Sequence, residues 1–364
     1  MKIERVEITN FRGIDHLALD FVDPAGKPLD LVVLAGPNGC GKTSVLEACL
    51  LSCEYQALPH GKEGNSFNIG LKSENAEIII DIDAGSDKKF KLKNTLRSIS
   101  LEDLVMSKLQ NGADVFSEDS ISAVWSFAKE RQNASEMQKK LKDSVEYFSS
   151  SRQQVLAGGL PVAIAGNLES FVTEENVRLK ILKSYCIDVT ALRGFRRNDN
   201  SPKNDPVFES LALAWSYFYP HSKIKFEARP VDSRHIDDQQ LNDVRRMNFD
   251  LFIVDDLNKK IVSVDKLSSG EIEILCMLGT FAIVKNKPKL LFIDEPELHL
   301  HPTWHRAILR ALREVLPDTQ IICATHSPDV LDAVEYYQRF VLLDENDPRV
   351  RLRNSRALSE GGRD

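Results

Sequence analysis

Eight residues constrain this chain more than any others. Gly36-Pro37-Asn38-Gly39-Cys40-Gly41-Lys42-Thr43 have the spacing G-x-x-x-x-G-K-T. The apolar run Leu31-Val32-Val33-Leu34 before them reads as a buried strand, and Ser44 to Leu51 after them reads as a helix. Strand, glycine loop and helix form the context of a phosphate-binding loop. Glycines let the backbone fold close to a phosphate with successive N–H groups turned inward. The following helix adds the positive end of its dipole. On this reading Gly36 to Ser44 hold a nucleotide, Lys42 reaches its β- and γ-phosphates, and the Thr43 hydroxyl ligates Mg²⁺.

Three later stretches fit the same chemistry. Leu267-Ser268-Ser269-Gly270-Glu271 opens a helical run from Ile272 to Val284. Its hydroxyls and Glu271 make a good N-cap, and such a helix start is also a ready anion site. Lys289-Leu290-Leu291-Phe292-Ile293-Asp294-Glu295-Pro296 reads as a central parallel strand ending in two carboxylates. There Asp294 is placed to hold Mg²⁺ and Glu295 to polarise an attacking water. Thr319 to Thr325 is another buried strand, followed by His326, whose imidazole can donate to a γ-phosphate. Two histidines in Glu297-Leu298-His299-Leu300-His301-Pro302 suggest a metal site, but no third ligand stands at suitable spacing.

The 364 residues allow two domains, or one with an insertion, and 42% hydrophobic with 28% charged residues is a globular balance. A net charge of -7 argues against a surface basic all over. Six cysteines without a C-x-x-C pair, lying mostly in apolar runs, predict buried reduced thiols. A start without signal-peptide character and the lack of a bilayer-length apolar run point to a cytoplasmic protein with no membrane partner.

Lys2 to Thr9 alternates as an edge or antiparallel strand, and a second strand begins at Leu17. Ala76 to Asp83 and Lys88 to Lys93 read as a hairpin. Leu101 to Leu109 and Ile121 to Phe148 look helical, Tyr185 to Thr190 returns to strand character, and Phe208 to Phe218 looks helical. Leu251 to Val254 and Lys260 to Val264 form a second hairpin. Arg339 to Leu343 reads as the last strand.

In order and spacing, the phosphate loop, Leu-Ser-Ser-Gly-Glu, apolar-Asp-Glu-Pro and Thr-His-Ser resemble the ABC-type ATPases. Within these the chain is most similar to the RecF/SMC-like and OLD-like group found in phage-defence systems. The start Ile-Thr-Asn-Phe-Arg-Gly and the block Asp-Glu-Pro-Glu-Leu-His-Leu-His-Pro are the most specific features. The resemblance covers residues 1 to about 95 and about 183 to 345. It implies an α/β fold: an ABC-ATPase head with a mixed, partly parallel sheet bearing the phosphate loop, antiparallel N-terminal strands and a mostly helical insertion. The ATPase domain then comprises 1–95 and 183–364, with a helical signature lobe around 206–285, and the insertion comprises 96–182.

The resemblance further implies ATP and Mg²⁺ as cofactors and an ATP-dependent head-to-tail homodimer or larger ring. Lys42, Thr43, Asp294, Glu295 and His326 come from one subunit in each site, and Ser268, Ser269 and Gly270 from the other. Lys42, Glu295 and His326 are the catalytic candidates, and Arg12 is expected near the nucleotide. The Gln that such ATPases place after the first motif has no clear counterpart: Gln153 and Gln154 lie in the insertion, and the segment with Arg193 has none.

Two functions follow. In the first, a nucleotide-dependent switch or scaffold subunit of a phage-defence complex works with a separate effector, because only about twenty residues follow the last strand. In the second, a RecF-like repair ATPase binds duplex DNA through Arg193, Arg196 and Arg197, Arg245 and Arg246, or Arg306, Arg310 and Arg313. A transporter subunit shares the motif order but not the Asn-Phe-Arg start or the Leu-His-Leu-His-Pro block.

Overall fold

The computed structural model describes residues 1–53, 75–85, 89–97, 127–128, 144–150, 160–161, 178–195, 206–231, 248–284 and 286–343. In chain order the first elements are β1 (Lys2–Phe11), β2 (Ile14–Asp20), β3 (Leu31–Ala35), α1 (Lys42–Ser52), β4 (Asn75–Asp83) and β5 (Lys89–Arg97). Next come β6 (Phe127–Ala128), β7 (Val145–Phe148), β8 (Leu160–Pro161), α2 (Arg178–Phe195), α3 (Pro206–Ser216), β9 (Ile224–Pro230), β10 (Asn248–Asp255) and β11 (Lys260–Ser263). The last are α4 (Ser269–Ile283), β12 (Leu290–Asp294), α5 (Pro302–Val315), β13 (Gln320–Thr325), α6 (Pro328–Asp332) and β14 (Arg339–Val341).

The chain divides into two units. One comprises Met1–Tyr147, Lys289–Glu295 and Gln320–Asp364; the other comprises Phe148–Pro288 and Pro296–Thr319. The first unit holds two sheets. One is antiparallel, in the order β2-β1-β4-β5-β6, and the other runs β14-β3-β13-β12-β7. In the second sheet β14, β3, β13 and β12 pair in parallel.

Every residue of β3, β12 and β13 is buried. That is why their sequences are continuous rather than alternating: a parallel sheet covered on both faces has no wet side. Each fully buried aliphatic side chain contributes about 1.5–3 kcal/mol of transfer free energy. Strand β1 alternates instead, burying Ile3, Val6, Ile8 and Phe11. Its period breaks between Ile3 and Val6, where a register shift between Ile3 and Arg5 interrupts the ladder with β4. Val32, Leu34, Leu46, Phe292 and Ile322 share one core with Ile8 and Ile80, so α1 and both sheets consolidate together.

The two sheets are clasped by Gln320, which is fully buried at the start of β13. Its Oε1 accepts from the Ile3 N–H at 2.6 Å, and its Nε2 donates to the carbonyls of Ile3 and Leu29, both at 2.9 Å.

In the second unit, β10 pairs antiparallel with β11, β9 and β8. Leu179, Leu182 and Cys186 of α2 pack with Leu211, Trp215, Phe226, Leu251 and Leu275. The fully buried ammonium of Lys183 sits between Asp250 at 2.6 Å and Asp265 at 2.8 Å, so its charge is compensated inside the core.

Two sequence expectations are corrected. Tyr185–Thr190 is not a strand but part of α2. Its β-branched and aromatic residues suggest extension, but the buried spacing of Leu179, Leu182 and Cys186 is helical, and packing overrides propensity. Within Ile121–Phe148, expected to be helical, Phe127–Ala128 form β6 and Val145–Phe148 form β7, the latter all buried beside β12. Leu101–Leu109 and most of 121–143 lie outside the described residues, as does most of the expected insertion. The hairpins at β4–β5 and β10–β11 and the helices α1, α3 and α4 follow the sequence. All six cysteines are free, and five of them are buried. Burial pushes the Cys53 thiol up to about 12 and raises Cys49 and Cys276 as well, leaving these groups unreactive.

Gln320→Leu removes three backbone partnerships from a dry site, each worth about 1–3 kcal/mol when left unmet. We expect urea denaturation to show a loss of about 3 kcal/mol or more; a loss below about 1 kcal/mol would show that the clasp is dispensable.

Candidate nucleotide-binding site

The loop Gly36–Gly41 joins β3 to α1 in the first unit. Gly36, Gly39 and Gly41 all have positive φ, at 150°, 82° and 94°. At Gly36 the requirement is steric as well: a Cβ there would run into the Leu342 carbonyl and the Cys40 Sγ. Pro37, Asn38 and Gly39 are exposed, whereas Cys40 is half-buried. No side chain caps the N-terminus of α1, and the first N–H groups of a helix have no partner within the helix itself. The Lys42 ammonium is buried and donates to the carbonyls of Gly36 and Pro37, both at 2.9 Å. Thr43 and Ser44 follow in the first turn of α1, both half-buried.

Thr43 Oγ1 donates to Asp294 Oδ2 at 3.0 Å, joining the phosphate loop to the end of β12 across 251 residues of sequence. Asp294 is almost wholly buried. Parallel register makes this meeting possible: Asp294 pairs with Ala324, and Ala324 with Leu34, so the three strands end at one edge. Glu295, the next residue, takes a left-handed φ of 53°, an uncommon conformation for a side-chain-bearing residue. Its N–H still donates to the Ala324 carbonyl at 2.8 Å, so the chain bends out of the ladder at this residue. Its Oε1 lies 3.4 Å from His326 Nδ1, which follows β13. Strain of this kind is found where surrounding structure fixes a functional group.

Arg12 also reaches this unit's loop helix. Its guanidinium pairs with Glu47, one turn after Thr43. Burial pushes the Glu47 carboxyl up; Arg12 offsets part of that rise, and the charge of Asp294 adds to it. Glu47 carries no motif and reads in the sequence as one acid in a helical run.

Ser268, Ser269 and Gly270 lie in the second unit at the start of α4. Ser268 is the N-cap in a complete capping box with Glu271, as its spacing suggests. Ser268 and Ser269 are exposed, and Gly270 is buried. His301 is the N-cap of α5 and accepts from the Thr303 N–H. Among the described residues no cluster of three or more metal-ligating side chains occurs. Arg306, Arg310 and Arg313 are exposed along α5. The side chain of Arg193, together with Gln153, Gln154, Arg196, Arg197, Arg245 and Arg246, lies outside the described residues.

Residues 1–157 match the "AAA ATPase domain" family model, and residues 167–332 match an "AAA domain" model whose description names the AbiEii toxin and a Type IV TA system. The Retron Ec83 probable ATPase of Escherichia coli is 22% identical over 92% of this chain and 70% of its own length. The Septu protein PtuA of Bacillus thuringiensis is 36% identical over 19% of this chain and 18% of its own length. An Smc head domain with an extended coiled coil, solved with the C-terminal domain of ScpA from Pyrococcus furiosus, superposes with a TM-score of 0.51. That match is 12% identical and covers 98% of this chain and 99% of the solved one, so it speaks for the fold. Among the described residues no helix is long and apolar enough to cross a membrane. Two AAA-type ATPase domain models thus match adjoining segments of the chain, its fold is that of an SMC-like ATPase head, and the proteins it is similar to include a retron ATPase and a Septu protein.

Proposed function

We propose that this chain binds and hydrolyses ATP and that the bound nucleotide pairs it head to tail with a second copy. The observation that carries this reading is the 3.0 Å hydrogen bond between Thr43 and Asp294, with Glu295 and His326 beside it. In this reading Lys42 leaves the Gly36 and Pro37 carbonyls for the β- and γ-phosphates, while the loop N–H groups from Gly36 to Ser44 hold the remaining phosphate oxygens. The hydroxyl and carboxylate oxygens of Thr43 and Asp294 would hold Mg²⁺, an oxygen-preferring ion that would supply charge neutralisation at the phosphates. Glu295 accepts a proton from the attacking water, and His326 orients the transferred phosphoryl group. Arg12, held by Glu47, stands beside the loop helix.

Ser268, Ser269 and Gly270 of a second copy complete each site. Exposed serines at a helix N-terminus, in a unit separate from the phosphate loop, support a role in trans. Similarity to the retron ATPase and to PtuA supports work as the switch or scaffold subunit of a phage-defence complex in the cytoplasm, with a separate effector.

Glu295→Gln is expected to bind ATP, to lose turnover by about 10²–10⁴-fold, and to accumulate as a dimer. Turnover at the parent rate in a phosphate-release assay would remove Glu295 as the base. Ser269→Arg is expected to keep ATP binding but stay monomeric in ATP by analytical ultracentrifugation; an unchanged ATP-dependent mass would overturn the contribution in trans.

A further inference from the structure

The Leu-His-Leu-His-Pro block has no part in the chemistry above, yet it lies in the second unit with the Ser268 turn. A Cβ at Gly270 would come within 2.6 Å of the His299 carbonyl oxygen, so the turn rests directly on that carbonyl. His299 presents it from a left-handed φ of 66°. Five residues on, Trp304 stands in the first turn of α5, edge-on to Tyr219 at 5.4 Å and 66°. Trp215 also stacks with Tyr219, at 5.3 Å and 12°. Two indoles thus fix the Tyr219 ring.

The Tyr219 hydroxyl donates to Glu271 Oε1 at 2.7 Å. Glu271 Oε2 accepts from the Ser268 N–H at 2.8 Å and from the Ser268 hydroxyl at 2.7 Å. Both carboxylate oxygens are therefore occupied, and the rotamer of Glu271 is set from one side by Tyr219 and read out on the other by Ser268. Burial alone would raise the Glu271 carboxyl, but the bonds from Tyr219 and Ser268 hold it below its ordinary value, so it remains a charged acceptor.

We infer that Tyr219 is a positioning residue for the Ser268–Gly270 turn: packed against Trp215 and Trp304, it fixes Glu271, which fixes the Ser268 hydroxyl and N–H. Its functional meaning rests on the role in trans proposed above, but the positioning itself is a property of one free chain. A capping box without a third member leaves its acid free to swing toward water. The phenol removes that freedom, and the 299–304 segment supplies the platform.

The test is Tyr219→Phe, which keeps the ring packing and deletes only the hydroxyl. Hydrogen exchange of the peptide containing Ser268 to Ile272, in protein without nucleotide, should quicken several-fold, with exchange elsewhere in α4 unchanged. In the Glu295→Gln background, the ATP concentration for half-maximal association should rise roughly tenfold, the factor expected for losing one hydrogen bond to a charged group. ATP binding to the monomer should stay at its parent value. Unchanged exchange in that peptide overturns the inference, whatever association does. If Glu295→Gln fails to associate in ATP, the dimer reading falls, and the exchange result still decides the inference.

Discussion

The side chain of Gln320 lies where the two sheets of the loop-bearing unit meet, and it saturates three backbone groups that β1 and the turn at Leu29 leave unpaired. Because Gln320 is the first residue of β13, the clasp also fixes that strand along its own axis. The rest of the parallel sheet takes its register from β13, with Leu290 opposite Gln320 and Leu31 opposite Ile321. From that register the phosphate loop, the Asp294-Glu295 pair and His326 all emerge at the carboxyl edge, the usual place for ligands on such sheets. A slip of one residue would turn each strand's side chains to the opposite face and separate Thr43 from Asp294.

What was legible in the sequence, and what was not, divides along a physical line. Buried parallel strands are short apolar runs, and polar residues at their ends stand out sharply. Leu290 to Asp294 and Ile321 to Thr325 are therefore readable without a structure, as is the glycine loop, whose spacing is dictated by backbone conformation. Partnerships set by tertiary contact leave no such trace. Gln320 reads as an ordinary strand-start amide, Glu47 as a helix acid and Tyr219 as one aromatic among several. Tyr185 to Thr190 has the composition of a strand and the burial of a helix. Only the stripe through Leu179, Leu182 and Cys186, which begins outside that window, reveals the helix.

Residues Ser268 and Glu271 close the first turn of α4 with a reciprocal pair of hydrogen bonds. The same hydrogen bonds that finish α4 hold the turn in one shape, so a helix end doubles as a preorganised surface. Gly270 is similarly overdetermined. Its missing side chain is demanded by the His299 carbonyl within the same unit, before any phosphate is considered.

The position of β3 in its sheet bears on how the chain is made. Its neighbours are β13 and β14, and its first residue pairs with Ile321. The Leu29 carbonyl likewise waits for a partner 291 residues later. At about 5–20 residues per second, the ribosome takes roughly 15–60 s to cover that distance. Throughout that time the five apolar residues of β3 have no sheet to enter. The glycine loop after β3 thus gains its strand partners only once β13 and β14 have been made. Nascent chains of this topology are candidates for chaperone capture, and a truncated product ending before β13 would expose an unpaired apolar strand prone to aggregate.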